Sequence, residues 1–97
     1  MHVIAKRVLR EFWEDHPDPE QPLTAWFYEV AHATWRNSAE IKRRYSSASI
    51  INHERVVFNI RGNTYRLVAR INYPSQTLFI RFIGTHQEYD RIDVETI

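Results

Sequence analysis

The chain has 97 residues, 43% of them hydrophobic, with three Trp and five Phe; this suffices for one compact core and leaves no length for a second domain, so residues 1–97 are expected to form a single unit. Cysteine is absent, which excludes disulfides, Cys-based zinc sites and a Cys nucleophile. A formal net charge of +1 conceals a segregation: residues 1–35 carry three cations against six carboxylates, residues 36–86 nine against two, and the remainder one against four. The basic stretch suggests a polyanion-binding half, and the excess of arginine over lysine, eleven to two, favours planar contacts to phosphates and base edges.

Met1 to Arg7 lacks the apolar core of a signal peptide, and no apolar run is long enough to span a membrane, so a cytoplasmic protein without membrane contact is expected. Val8, Leu9, Phe12 and Trp13 recur at helical spacing and predict a helix from Lys6 to about Asp15, ending before Pro17. Pro17, Pro19 and Pro22 predict a loop. Thr24 is the expected N-cap of a second helix whose apolar face holds Trp26, Phe27, Val30, Ala31, Ala33 and Thr34 or Trp35, forming a helical hairpin with the first. Asn37 or Ser38 caps a third, short helical turn through Ile41 to Arg44, and Ser46 to Ser49 reads as a loop.

From Arg55 the hydrophobic period changes to two. Val56 to Arg61, the pair Gly62-Asn63 and Thr64 to Tyr73 predict a two-residue hairpin with a type II′ turn, which opposes Ile60 to Tyr65, Asn59 to Arg66, Phe58 to Leu67 and Val57 to Val68. One face then holds Phe58, Ile60, Tyr65, Leu67, Ala69 and Ile71 for packing against the helices; the other holds Asn59, Arg61, Thr64, Arg66, Arg70 and Asn72. A third strand, Thr77 to Ile83, follows Pro74-Ser75. Pairing Ile71 with Leu78 keeps Leu78, Ile80 and Phe82 on the core side and Arg81 on the arginine face. In this register the arginine face has no acidic partner, which favours an anionic ligand over a merely solvated surface.

His86 and Tyr89 follow the third strand and fall at the rim of that face. RNA self-cleavage needs a base for the 2′-hydroxyl proton, cations for charge building on phosphate, and an acid for the leaving oxygen. His86, the arginines and Tyr89 are candidates for these roles. No His or carboxylate pair has ligand spacing, so neither a metal nor a cofactor is expected.

Val56-Val57-Phe58-Asn59-Ile60-Arg61-Gly62-Asn63-Thr64-Tyr65-Arg66-Leu67-Val68 and Ile80-Arg81-Phe82-Ile83-Gly84-Thr85-His86-Gln87-Glu88-Tyr89-Asp90 resemble the HigB family of bacterial toxins, as do His2-Val3-Ile4 and Trp35 through Lys42. The resemblance covers nearly the whole chain. It implies a RelE-like α+β fold, with N-terminal helices packed on one face of a curved antiparallel β-sheet, and an mRNA interferase that cleaves translated mRNA at the ribosome and is neutralised by a HigA-type helix-turn-helix antitoxin. Within the matched motifs, Arg66 and Arg81 are expected to stabilise the phosphate, His86 to act as base or acid, and Tyr89 to orient or donate. Asn59, Arg61, Asn63 and Arg70, with Lys42, Arg43 and Arg44, are expected to bind mRNA or rRNA phosphates. The competing reading is a non-catalytic RNA- or ribosome-binding module that blocks translation by occlusion.

Overall fold

A computed structural model describes all residues, Met1 to Ile97. In chain order the elements are β1 (His2–Ile4), α1 (Lys6–Asp15), α2 (Glu20–His32), α3 (Ser38–Arg44), β2 (Ser49–Ile50), β3 (Arg55–Ile60), β4 (Tyr65–Asn72), β5 (Thr77–Thr85) and α4 (His86–Tyr89). The protein is therefore α+β. No helix is long and apolar enough to cross a membrane.

α1 ends where expected, because His16 precedes Pro17 and is pushed out of the helical region to φ −129°, ψ 85°. The second helix corrects the expectation. It begins at Glu20 with Pro19 as N-cap, Pro22 lies in its first turn, and Thr24 is interior, its hydroxyl donating to the Glu20 carbonyl at 2.8 Å. Proline is tolerated there because the first helical N–H groups have no intrahelical acceptor to lose. The helix also stops at His32, so Ala33, Thr34 and Trp35 lie beyond it. α3 is capped as predicted: the Asn37 side chain accepts from the Glu40 amide at 3.1 Å.

The sheet order is β1-β5-β4-β3-β2. It is mixed rather than antiparallel, because β1 pairs in parallel with β5, matching Val3 to Leu78, while the other pairings are antiparallel. The three-residue β1 carries too little periodicity to announce itself, and its partner lies far along the sequence. The β3–β4 register is as predicted, from Asn59 opposite Arg66 to Ile60 opposite Tyr65. Gly62 has φ +65° and the Thr64 amide donates to the Arg61 carbonyl at 3.3 Å, closing Gly62-Asn63 as a tight turn. Arg61 is also left-handed, at φ 53°, a conformation that costs a non-glycine residue on the order of 1 kcal/mol or more.

Ile71 faces Leu78, as expected, but the β4–β5 ladder carries a bulge: Ala69 faces Ile80 and Val68 faces Phe82, leaving Arg81 as the extra residue. Past the bulge the alternation inverts. Phe82 therefore shares a face with Val68 and Arg66, not with the core, whereas Ile83 faces Leu67 and packs on the core. The expected inward Phe82 is overturned by one unpaired residue that period-two reading does not register.

Buried residues of α1, α2 and α3, namely Leu9, Leu23, Trp26, Val30 and Ile41, belong to one cluster with Phe58, Ile60, Leu67, Ala69, Ile71 and Leu78 of the sheet. The Trp26 ring meets Phe58 edge-on with centroids 5.3 Å apart. The opposite sheet face is not open throughout. Val57 and Val68 lie outside that cluster yet are 1% and 0% exposed. The chain's last residues return to this face: Arg55 Nε and Nη2 donate to the Ile97 main-chain oxygen at 3.2 and 3.0 Å, and Ile92, Val94 and Ile97 are half-buried.

Phe58 is 1% exposed and contacts the rings of both Trp26 and Tyr45. Phe58→Ala is expected to destabilise the protein by about 3–5 kcal/mol, read from urea unfolding midpoints at unchanged m-value.

Candidate nucleic-acid interface

α4 starts directly after β5 because Thr85-His86-Gln87-Glu88 is a capping box. The Thr85 hydroxyl accepts from the Glu88 amide at 3.1 Å, and the Glu88 carboxylate accepts from the Thr85 amide at 2.8 Å. That backbone bond is the main cause holding the Glu88 carboxyl below its usual range. The His86 amide donates to the Thr64 carbonyl at 3.3 Å, joining α4 to the tip of the β3–β4 hairpin.

Consequently the start of β4 and the start of α4 are neighbours. Arg66 lies over the Tyr89 ring, its guanidinium carbon 5.3 Å from the centroid, and donates from Nη2 to the Asn63 side chain at 3.0 Å. Its Nε is buried without a hydrogen-bond partner. His86 Nδ1 stands 3.2 Å from Asp90 Oδ2, four residues on, a contact that becomes an ion pair when the imidazole is protonated. Phe82 borders the group, with ring centroid 6.5 Å from that of Tyr89. Gly84 admits this crowding: a Cβ there would lie 2.6 Å from the Phe82 ring tip and 3.0 Å from Glu88 Oε1.

Of the sequence-predicted site residues, the structure thus groups Arg66, Asn63, Tyr89 and His86. Arg81, on the bulge, is exposed and makes no side-chain hydrogen bond or ion pair. Arg61 pairs with Asp18 at 3.2 Å and Arg70 with Glu54 at 3.2 Å, so the arginine face does have acidic partners, contrary to expectation. Both carboxylates come from loops, which a strand-register argument cannot place. Asn59 donates to the Ser47 carbonyl at 3.1 Å and tethers the approach to β2. On α3, Lys42 donates to the Ala48 carbonyl, Arg44 pairs with Glu29 at 2.6 Å, and Arg43 is exposed.

Sequence reasoning missed Asp18, Glu54 and Phe82. Asp18 has two roles here: besides Arg61 it accepts the buried Tyr65 hydroxyl on both oxygens, each at 2.8 Å. Burial first, and then this bond, push the Tyr65 phenol upward, so it remains a donor. The signal for Asp18 was its place between two prolines, a rigid segment able to present a side chain; for Phe82 there was none without the bulge.

Chemically, a guanidinium with Nη1 unbonded, a phenol and an imidazole beside a carboxylate can bind an anion and move protons beside it. The family model for HigB_toxin, the RelE-like toxic component of a toxin-antitoxin system, matches residues 19–92. The chain belongs to this family. It is 30% identical over 92 residues, 93% of this chain and 88% of the relative, to the mRNA interferase toxin HigB of Escherichia coli K12. The identity and coverage are the same for mRNA interferase HigB of Shigella flexneri. Another mRNA interferase HigB, from Escherichia coli O6:H1, is 22% identical over 95% of this chain and 91% of its own. Membership in a toxin-antitoxin family implies an antitoxin partner.

Because Glu88 has a lowered pKa in the folded protein, its contribution is complete above the ordinary carboxylate range and is lost as pH falls through the lowered value. In Glu88→Gln that contribution is removed at every pH. The melting temperature of the variant is expected to lie below that of the parent at pH 7, with the gap closing as pH is taken below 4.5.

Proposed function

We propose that the protein is an mRNA interferase toxin: a ribosome-dependent endoribonuclease of the cytoplasm that cleaves translated mRNA and is neutralised by a HigA-type helix-turn-helix antitoxin. The whole of residues 1–97 acts as one RelE-like toxin domain, with its N-terminal helices on the core side of the sheet. The observation that carries the reading is the Arg66–Tyr89–His86 grouping, in which a guanidinium whose Nη1 makes no hydrogen bond lies over the Tyr89 ring, on the helix turn that begins at His86. Its support from relatives is that proteins similar over nearly their full length are mRNA interferases.

The reaction assigned to this site needs no metal. The 2′-oxygen attacks the adjacent phosphorus as its proton passes to a base, and the bond to the 5′-oxygen breaks as an acid protonates it. The products are a 2′,3′-cyclic phosphate and a free 5′-hydroxyl. His86 serves as base or acid, beside Asp90 at 3.2 Å. Tyr89 orients or donates, and Arg66, with Arg81 reaching from the bulge, stabilises the charge on phosphate. Such charge developing in the transition state is what preorganised donors stabilise most. Lys42, Arg43, Arg44, Asn59, Arg61, Asn63 and Arg70 supply phosphate contacts and internal bracing.

His86→Ala is expected to lower single-turnover cleavage of ribosome-bound mRNA by roughly 10²- to 10⁴-fold and to relieve growth arrest, while the melting curve is retained. Arg66→Ala is expected to cost roughly 10²- to 10³-fold. New 5′ ends within translated codons after induction support cleavage. Intact messages with arrested synthesis would replace it with occlusion of the ribosome, and a fully active His86→Ala would remove His86 from the chemistry.

A further inference from the structure

The outer face of the sheet, away from the helices, holds a cleft of about 280 Å³ walled by Glu54, Arg70, Asn72 and Phe79. It lies at the far end of β4 from Arg66: Arg66 and Arg70 are four residues apart, about 13 Å along a strand. The register explains its composition. Phe79 pairs with Arg70 on one side and with Ile4 on the other, so the three side chains stand in one row. Ile4 is 38% exposed, and half-buried Phe79 takes no part in the main core. This face also carries the buried Val57 and Val68 and, nearer α4, the ring of Phe82; Phe79 stands on it beside Glu54, Arg70 and Asn72.

Glu54 supplies the polar wall. One of its carboxylate oxygens lies 2.9 Å from Arg55 Nη1 and the other 3.2 Å from Arg70 Nε. These bonds fix an acceptor beside a guanidinium and opposite a ring. An inorganic phosphate would leave Phe79 without a role and would meet the carboxylate. A nucleobase uses all three: its face stacks on the ring and its edge takes the acceptor and donor. Between this cleft and Tyr89 lie the exposed, unpaired Arg81 and then Phe82, so β5 presents a ring, a cation and a ring in succession. That alternation suits a single strand, whose bases stack while its phosphates need countercharge.

We infer that the Phe79 cleft is a nucleobase subsite for the same RNA strand whose phosphate lies at Arg66. It takes a base that stacks on Phe79 and offers an amino group to Glu54, and so favours cytosine, adenine or guanine over uracil. The pairing edge of uracil has two carbonyl oxygens flanking its one N–H, which would face the carboxylate with acceptors. This inference rests on the RNA-cleaving reading and extends it to a base remote from the cut.

The test uses His86→Ala protein, so that RNA survives the measurement, and fluorescein-labelled decacytidylate and decauridylate at fixed low salt, read by anisotropy. The cytidine decamer is expected to bind more tightly. Adding Phe79→Leu, which keeps an apolar side chain and removes the π-face, should weaken cytidine-decamer binding by roughly 5-fold or more with an unchanged melting temperature. Adding Glu54→Gln should erase the preference over uridine. If Phe79→Leu leaves decamer affinity unchanged while Arg66→Ala weakens it, the cleft lies off the RNA path and the ribonuclease reading stands. If neither decamer binds the protein, the cleft is not an RNA subsite of the free chain and the inference fails, while cleavage of ribosome-bound mRNA decides the ribonuclease reading separately. Should Phe79→Leu weaken binding of the antitoxin and not of RNA, the cleft is a protein contact and the inference fails.

Discussion

The structure depends on β4 being hydrogen-bonded along both edges. Tyr65 to Asn72 pairs with β3 on one side and β5 on the other, so its position is determined by two ladders at once. Its inward residues Tyr65, Leu67, Ala69 and Ile71 sit in the main core, while Arg66 and Arg70 face the other way. A guanidinium on a doubly paired strand has a rigid base for the phosphate contact proposed for Arg66, and rigidity of the base is what preorganisation requires. The free energy for holding it there comes from apolar burial on the opposite face.

Around that strand the loops act as braces. The segment between α1 and α2 reaches the hairpin tip through Asp18, which holds both Tyr65 and Arg61. The same tip carries Asn63, which holds Arg66, and Thr64, whose carbonyl receives the His86 amide. An acidic residue in the N-terminal, negatively charged part of the chain therefore braces the hairpin tip that holds Arg66 without contacting Arg66 itself. Several arginines of the basic half are engaged in such pairing, which leaves Arg66 and Arg81 on the sheet, and Lys42 and Arg43 on α3, without acidic partners. Exposed pairs of this kind add little stability individually, so their main effect is geometric.

Much of this was legible beforehand because the deciding signals are local. The Gly62-Asn63 turn sets the β3–β4 register, Pro17 ends α1, and Asn37 caps α3; each acts within a few residues. What was not legible is non-local. β1 is three residues long and finds its parallel partner across the chain. Asp18 and Glu54 meet their arginines only in the folded state. α2 begins four residues before Thr24, because proline in the first helical turn is an opening signal and not only a breaker. For the site, His86, Tyr89, Arg66 and Asn63 could be nominated from sequence, whereas Phe82 could not, since nothing in an alternating pattern marks a bulge.

The bulge at Arg81 divides β5 into two segments that count inside and outside in opposite phase. A substitution at this position alters one side chain, but pairing Arg81 into the ladder would turn Phe82 toward the core and Ile83 away from it. Deleting Arg81 would remove the bulge and leave Phe82 opposite Val68 and Ile83 opposite Leu67 in an unbroken alternation, whereas losing a paired residue beyond the bulge would move the side chains after it to the other face. In this fold the length of β5 is thus a specification in its own right. Among related chains, a one-residue gap at Arg81 reports loss of the bulge with the faces kept, a gap elsewhere in the strand a rearranged face, and gaps in the turns on either side neither.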